Sequence, residues 1–515
     1  MKIKQAFKTS RRTFVASLYT LPWVGSAWAQ GMMPGMKGMG NMTGMADMMQ
    51  GTQGAALVPV SAIAAGAPLA ALTKLVNTSA RAGVFRATLR AAPVSAAIMQ
   101  DGTKTEFWAY NDQLPGPLIE VMEGDTVEIE FINNLPQPST IHWHGLPVPS
   151  EQDGNPHDAV PAGGRRLYRF TLPLDCAGTY WYHPHPHGFT AEQVYRGLAG
   201  PFIVRAKHDP LKGIAERHLV FSDLKLATDG RIAPNDMNDE MNGREGQFAL
   251  VNAQRQPVLT FDASGRERWR IWNANSARYL RLSLPGATFT LVGTDGGLLQ
   301  HPVTGLTELL MTAAERMEVI VDAPAGGGRV GLVTQPVERG KMGMVPQEFP
   351  ITLLDVDFSA VKPERLAALP KLPQTLRRIQ PLGAAKAKKR VVFSEEMSMA
   401  GGVHSMKFLV NGKRFDMKRI DFTSRINEVE LWEIANESDM DHPFHIHGIQ
   451  FQVIEREVDG KVSPEPLLAW RDMVNTKSGE TVRIKLVQRH KGLRMFHCHI
   501  LEHENAGMMG QVKVV

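Results

Sequence analysis

The segment "HCHILEHENAGMM", near the C-terminus, concentrates side chains that bind metal ions. On an extended strand successive side chains face opposite sides, so His497 and His499 face one way and Cys498 faces the other. His503 and Met508 follow closely enough to fold back towards Cys498. A thiolate, two imidazoles and a weak methionine sulfur form a blue-copper electron-transfer site. The segment therefore predicts contributions to two separate metal sites, with one imidazole still to be supplied.

Three further histidine blocks occur along the chain, "IHWHG", "WYHPH" and "HPFHIHG", which contain His142 and His144, His183 and His185, and His442, His445 and His447. A single His-x-His pair is weak evidence of metal binding. Four such pairs, each with both imidazoles on one strand face, supply eight ligands and suit a cluster of three coppers. His442 precedes His445 by an odd number of residues, which directs it towards Cys498 as the missing imidazole.

An internal repeat relates the histidine blocks to the domains. Nine residues separate Asn133 from His142, and nine separate Asn436 from His445. A third copy, "ERWRIWNANSARYLRLSL", keeps the strand and the asparagine but has leucines at the ligand positions. Two outer domains with matching ligand blocks and a ligand-free middle domain are therefore predicted.

Alternating apolar and charged residues, as in "TVEIEFIN" and "TVRIKLV", predict half-buried strands. With 47 glycines and 33 prolines between such segments, the pattern indicates an all-β chain of sandwich domains. We place the domains at residues 55–207, 208–360 and 390–515. Residues 361–389, rich in proline, lysine and leucine, form a predicted linker.

The N-terminus predicts export from the cytoplasm. Residues 1–29 carry five basic residues and no acidic one, followed by an apolar stretch and a small-residue cleavage site. Paired Arg11 and Arg12 favour a twin-arginine signal and a periplasmic location, although an ordinary secretory signal is the alternative. Without this segment 52 basic residues face 52 acidic ones, so the charge balance gives no support for nucleic-acid binding. No later stretch reaches the ~18 apolar residues of a membrane span.

Residues 30–54 are rich in glycine and contain eight methionines. Such a composition cannot bury a core. Thioethers prefer Cu(I), so copper capture is favoured over a plain flexible leader. The chain has two cysteines, and a disulfide between Cys176 and Cys498 is the alternative to metal binding at Cys498.

The four histidine blocks, in this order, resemble the copper motifs of the multicopper oxidase family, over nearly all of the chain beyond the signal. The resemblance implies three cupredoxin-like Greek-key β-sandwich domains and four copper ions. Carried over by motif position, a type 1 copper would be bound by His442, Cys498, His503 and Met508, and a type 2 copper by His142 and His445. The type 3 pair would be bound by His144, His183, His185, His447, His497 and His499.

The resemblance also implies roles for four further residues. Asp153, in "HGLPVPSEQDGNP", and Glu504 occupy positions of acids that supply protons to the oxygen-reducing site, although either could be a solvated surface carboxylate. Before His442, Met440 falls where bacterial copper-efflux oxidases of this family bind substrate Cu(I). The acid Asp439 is shifted by one residue from the family's position.

The resemblance implies reduction of dioxygen to water, coupled to one-electron oxidation of a donor. Cu(I), in copper tolerance, is the favoured donor, and laccase-like oxidation of phenols is the alternative. Non-enzymatic copper sequestration would not need ligands that join two redox sites. A structural periplasmic relative has lost its copper ligands, whereas this chain has them all. We expect a monomer without a membrane span.

Overall fold

A computed structural model describes residues 54–343, 345–400 and 403–515, without the side chains of residues 398–400 and 403–405. The predicted signal at residues 1–29 and nearly all of the methionine-rich segment lie outside these ranges. The described chain is built mainly of strands paired into six sheets, which confirms the all-β class. No helix in the described ranges has the length and apolar character needed to cross a membrane.

The first two sheets have the strand orders β2-β1-β4-β6 and β3-β8-β7-β5. Their aromatic and aliphatic side chains form one buried core. The bounds are β1 Val84–Ala97, β2 Lys104–Tyr110, β3 Ile119–Met122, β4 Thr126–Asn133, β5 His142–His144, β6 Arg165–Thr171, β7 Gly178–His183 and β8 Gly200–Arg205.

The middle pair has the orders β11-β10-β9-β13-β18-β15-β16 and β12-β20-β19-β14-β17. Here Leu282, at the position of a ligand in the outer domains, is buried in an apolar core. The bounds are β9 Ala215–Leu224, β10 Phe248–Val251, β11 Gln254–Arg255, β12 Val258–Thr260, β13 Arg266–Asn273, β14 Leu280–Ser283, β15 Phe289–Thr294, β16 Gly297–Leu306, β17 Glu308–Met311, β18 Arg316–Asp322, β19 Arg329–Gln335 and β20 Ile351–Asp357.

The last pair has the orders β22-β21-β24-β29-β26-β27 and β23-β31-β30-β25-β28. The second of these sheets carries both ligand blocks of the C-terminal region. The bounds are β21 Ala387–Ala400, β22 Val403–Val410, β23 Phe422–Ser424, β24 Val429–Asn436, β25 His442–Ile446, β26 Phe451–Val458, β27 Lys461–Pro464, β28 Met473–Thr476, β29 Glu480–Val487, β30 Gly492–Cys498 and β31 Met509–Val514.

Short helices lie between the strands. The α-helices are α1 Thr190–Tyr195, α2 Met237–Asn242, α3 Pro363–Ala367 and α4 Leu501–Asn505, and the 3-10 helices are Val60–Ala62, Ser150–Gln152 and Pro156–Asp158. α3 lies in the predicted linker. α4 follows β30 directly and carries His503 and Glu504.

The repeated asparagines explain why the ligand blocks occupy equivalent places. Each one ends a strand, and its side-chain amide donates to a carbonyl of the following loop: Asn133 to Gln137, Asn273 to Arg278 and Asn436 to Met440. Each amide also donates to a more distant carbonyl, of Val160, Thr312 and Thr476 respectively. This double anchor holds the loop that leads into β5, β14 or β25.

Candidate metal centre

In each outer domain the two ligand strands are antiparallel neighbours. His142 of β5 pairs with His183 of β7, and His445 of β25 pairs with His497 of β30. Strand pairing therefore brings distant blocks together. The twelve predicted ligands are fully buried, namely His142, His144, His183, His185, His442, His445, His447, His497, Cys498, His499, His503 and Met508.

Eight of these imidazoles form one cluster between the outer domains. Their nitrogens fall into three groups, each with ligand atoms within 4.8 Å of one another: His142, His144 and His445; His144, His183 and His499; and His185, His447 and His497. Each group takes residues from both the first and the last domain. Neither domain could form this cluster alone.

The hydrogen bonds of His142 and His445 test whether a metal ion fits between them. The Nδ1 atoms lie 3.0 Å from the Asp153 carbonyl and 2.9 Å from the Asp472 carbonyl. Carbonyl oxygens only accept, so both Nδ1 atoms carry the ring proton. The two Nε2 atoms then face each other at 3.3 Å. Burial lowers the pKa of His445 well below its usual value, so its Nε2 presents a lone pair, which a shared cation would satisfy.

Two further imidazoles of the cluster are held in the same way at Nδ1. His183 and His497 donate from Nδ1 to the carbonyls of Pro184 and Cys498, each at 2.9 Å. The Nε2 atom of His497 lies 3.2 Å from Nε2 of both His185 and His447. Burial lowers the pKa of His497 to about 3. Neutral imidazoles with converging lone pairs are suitable ligands for copper.

A separate group contains a sulfur. The Nδ1 atom of His442 lies 3.4 Å from Cys498 Sγ and 3.4 Å from His503 Nδ1. Each ring is held at its other nitrogen: His442 Nε2 lies 2.8 Å from the Ser438 hydroxyl, and His503 Nε2 lies 3.1 Å from the Met241 carbonyl. Burial lowers the pKa of His442 to about 3, with a smaller effect from a nearby arginine. Two free Nδ1 atoms and one sulfur therefore face a common point.

The thiol of Cys498 is suited to a bound cation. Burial raises its pKa well above the usual value, so the thiolate needs a positive partner to form. The backbone N–H of Cys498 donates to the Met508 carbonyl at 3.1 Å, and the backbone N–H of Met508 donates to the His503 carbonyl at 2.9 Å. These bonds fold Met508 back onto the ligand strand, within the apolar cluster that contains Cys498.

The side chains of His497, Cys498 and His499 enter different groups. His497 joins His185 and His447, Cys498 joins His442 and His503, and His499 joins the group of His144 and His183. Three consecutive residues thus connect the sulfur-containing group to two of the three groups in the histidine cluster. Both cysteines are free, so the alternative disulfide between Cys176 and Cys498 is wrong.

Asp153 and Glu504 both lie inside the centre rather than on the surface. Asp153 Oδ1 lies 3.1 Å from His142 Nδ1, and Oδ2 accepts from Arg494 Nη1 at 3.0 Å. The Glu504 carboxylate lies 3.4 Å from His185 Nε2 and 3.2 Å from His497 Nδ1. Burial raises the pKa of Glu504 to about 8.

The two residues predicted to bind a donor differ in exposure. Asp439 is exposed, and its N–H donates to Glu395 Oε1 at 3.0 Å. Met440 is completely buried beside the sulfur-containing group. Gly340 covers its backbone so closely that an added Cβ would lie 2.9 Å from Met440 Cα. Of the two, only Asp439 can be reached from solvent in this conformation.

Several supporting residues were missed by sequence reasoning. Asp472 Oδ1 lies 3.1 Å from His144 Nε2 and accepts from Arg316 Nη1 at 2.7 Å. Arg494 holds Asp153, and Ser438 holds His442. None stands in a ligand block. The role of Asp472 becomes visible only in the structure, where β28 pairs with β25 and Met473, the next residue, lies opposite His445.

Three β-sandwiches with a histidine cluster and a nearby Cys-His₂ group define the chain as a copper-binding protein with cupredoxin-like domains. Three sequence models described as "Multicopper oxidase" match residues 93–209, 222–329 and 389–515. These ranges cover more than half of the chain. The chain belongs to the multicopper oxidase family and is an oxidoreductase.

Individual relatives agree with this assignment. The chain is similar to a solved structure named a multicopper oxidase and metallo-oxidase from Campylobacter jejuni, with 42% identity, a TM-score of 0.85 and coverage of 89% of this chain and 98% of that one. A laccase structure from Pediococcus acidilactici is 31% identical, with a TM-score of 0.76 and coverage of 88% and 95%. A multicopper oxidase from Staphylococcus haemolyticus is 32% identical over 432 residues, 80% of this chain and 86% of its own.

Proposed function

We propose that the protein oxidises Cu(I) to Cu(II) and couples four such oxidations to the reduction of one dioxygen, with four protons, to two waters. Its resident cofactors would be four copper ions, which supply one-electron redox chemistry and dioxygen binding. One type 1 ion would be held by His442, Cys498, His503 and Met508, and one type 2 ion by His142 and His445. The type 3 pair would be held by His144, His183 and His499 on one side and His185, His447 and His497 on the other.

The observation that carries this proposal is the connection made by residues 497–499. Cys498 belongs to one ligand group and its two neighbours belong to the cluster. A protein that only stores copper would gain nothing from two groups joined through one peptide segment. Such a connection is what transfer of electrons from one site to the other requires.

Glu504 and Asp153 are proposed to handle protons. With a pKa of about 8, raised by burial, the Glu504 carboxyl group holds a proton near neutral pH. It lies within 3.4 Å of two cluster imidazoles, His185 and His497, so it can release that proton inside a site closed to solvent. Asp153 is placed equivalently at His142, where it orients the imidazole and compensates Arg494.

Cu(I) as donor is supported by thioethers around the sulfur-containing group. Met342 and Met406 are half-buried and pack on the apolar cluster that includes Cys498 and Met508. Met241, also half-buried, provides the carbonyl bound by His503. Glu395 and Asp439 add two carboxyl groups nearby. Soft sulfur ligands favour Cu(I), and the carboxylates attract a cation.

The test compares oxygen uptake with Cu(I) and with a phenol. In the triple variant Met241→Leu, Met342→Leu and Met406→Leu we expect the rate with Cu(I) at limiting concentration to fall at least tenfold, and the phenol rate to change less than threefold. Met237→Leu is the matched control, because Met237 lies in α2 with Met241 but is 39% exposed. Equal losses with both donors, or an intact Cu(I) rate, would contradict the choice of donor.

Laccase-like oxidation of phenols is the second candidate. A cleft of about 670 Å³ lies beside α2 and is lined by Tyr279, Val345, Pro346 and the exposed Phe349 among others. Such a cleft accommodates an aromatic donor. A phenol preferred over Cu(I) by the wild-type protein would favour this activity.

We also propose that the protein acts in the periplasm as a monomer after twin-arginine export. The support for export is the sequence of residues 1–29, in which basic residues and an apolar stretch precede a small-residue cleavage site. Replacing Arg11 and Arg12 by lysine should retain the protein in the cytoplasm, as cell fractionation would show. Normal export of this variant would favour an ordinary secretory signal.

A further inference from the structure

Arg339 is a cationic side chain sealed inside the protein, 2% exposed, in the connection between β19 and β20. The backbone carbonyl of Arg339 accepts a hydrogen bond from the backbone N–H of Asp441 at 2.8 Å. Asp441 directly precedes the ligand His442. The next residue, Gly340, has a φ of +74°, and an added Cβ would lie 2.2 Å from the Asp439 carbonyl oxygen. Only glycine permits this close backbone contact, which places Arg339 beside the turn that leads to His442.

The guanidinium end of Arg339 approaches the other histidine of the same group. Nη2 donates to the Asn242 carbonyl at 2.6 Å. The preceding carbonyl, of Met241, accepts from His503 Nε2 at 3.1 Å. Neighbouring carbonyls at the end of α2 thus bind the guanidinium and the imidazole. Arg339 is attached to the backbone beside both His442 and His503.

The charge of Arg339 is only partly compensated. Its one carboxylate partner among the described residues, Glu245 at 2.9 Å, is shared with Arg278 at 3.4 Å and Lys341 at 2.8 Å. Arg278 and Lys341 each have a second carboxylate, Asp223 and Glu348 respectively. Within the same described ranges, Nε and Nη1 of Arg339 have no acceptor. The guanidinium carbon lies 5.5 Å from the Tyr279 ring centre.

We propose that Arg339 raises the reduction potential of the metal held by His442, Cys498 and His503. This inference rests on the type 1 assignment in the proposed function. Reduction removes one positive charge from the site, and a fixed cation in a poorly screened interior favours the state of lower charge. Arg339 acts through the ligands and does not contact the donor. Because the side chain is buried and anchored at both ends, its charge cannot be screened by movement into solvent.

The test measures the potential of the copper-loaded protein by redox titration of its absorption near 600 nm. R339Q should lower the equilibrium constant for one-electron reduction about tenfold, which corresponds to about 59 mV. R339K keeps the charge and should shift the constant less than threefold. K341Q is the matched control, since it removes a cation from the same Glu245 on a side chain that is 14% exposed, and it too should shift the constant less than threefold.

E245Q provides a second measurement if R339Q does not fold with a full copper content. It removes the shared carboxylate, leaves Arg339 in place and should raise the equilibrium constant. An unchanged potential in a copper-loaded R339Q, an equal shift in R339K and R339Q, or no rise in E245Q would overturn the proposal. A wild-type protein without the blue absorption would instead contradict the type 1 assignment itself.

Discussion

His442 Nδ1 lies 3.4 Å from Cys498 Sγ, although 56 residues separate them in the chain. The antiparallel pairing of β25 with β30, in which Phe444 faces Cys498, creates this proximity. The orientation of the imidazole has a different source. The Ser438 hydroxyl at Nε2 leaves Nδ1 free to face the sulfur.

Ser438→Ala should weaken copper binding at this group, because His442 loses the partner that fixes its tautomer and ring orientation. Loss of such a supporting contact typically costs 10-fold to 100-fold in metal affinity, and we expect about that range. The measurement is a chelator titration followed by the absorption near 600 nm. Ser478→Ala is the control, since Ser478 donates to the Ser438 carbonyl and not to the ligand. Equal affinities in the two variants would contradict this role of Ser438.

Asp153→Asn should slow the reaction with dioxygen while leaving reduction by the donor intact. The amide retains an oxygen for His142 but removes the negative charge beside Arg494. We expect a loss of at least 100-fold in the return of blue colour on mixing with air, a loss of the size that general acid–base groups contribute. Anaerobic bleaching by the donor should remain at the wild-type rate.

Asp158→Asn is a control for the Asp153 variant. Asp158 lies in the same connection and pairs with Arg166, but it is 29% exposed and contacts no ligand. After reduction, the Asp158→Asn variant should regain its blue colour in air as fast as the wild type. Slow bleaching of Asp153→Asn would point instead to damage at the sulfur-containing site.

Asp472→Ala should destabilise the folded protein. Its carboxylate and the Arg316 guanidinium are both buried, and Arg316 would keep only the longer contact with Asp295, at 3.4 Å. Removal of one member of a buried pair costs about 3–5 kcal/mol in the free energy of unfolding. Glu437→Ala is the control: its pair with Arg390 is 59% and 57% exposed, and its loss should cost less than about 1 kcal/mol. Denaturant unfolding of the copper-free proteins gives both values.

Glu315 should make stability depend on pH. Burial, together with a smaller effect of the Asp295 carboxylate, raises its pKa from 4.5 to about 7. Between these values the folded state binds more protons than the unfolded state, so this contribution is fully present below pH 4.5 and is lost as pH rises through 7. Glu315→Gln keeps an acceptor for the Thr312 N–H. Its unfolding free energy, relative to wild type, should therefore improve as pH rises from 5 to 8. A constant difference would contradict the raised pKa.

Much of the architecture followed from local patterns. Alternation in "TVEIEFIN" predicted β4, and the repeat of a strand followed by asparagine predicted equivalent segments in three domains, because both patterns are local in the chain. The odd spacing of His442 from His445 separated two ligand groups for the same reason. The buried position of Met440 did not follow. It depends on Gly340, a residue of another domain about 100 positions away.

The sequence by itself determined which side chains can bind copper and which neighbours on a strand must face apart, since side-chain alternation is a property of any extended backbone. Only the tertiary structure decided which nitrogen is free in His142, His442, His445 and His503, because the opposite nitrogen is held by a carbonyl or hydroxyl from elsewhere in the fold. The tertiary structure alone also decided the roles of four charged residues: Asp472, Arg316, Arg494 and Arg339. Their contacts join segments that are far apart in the chain, and no local pattern encodes such contacts.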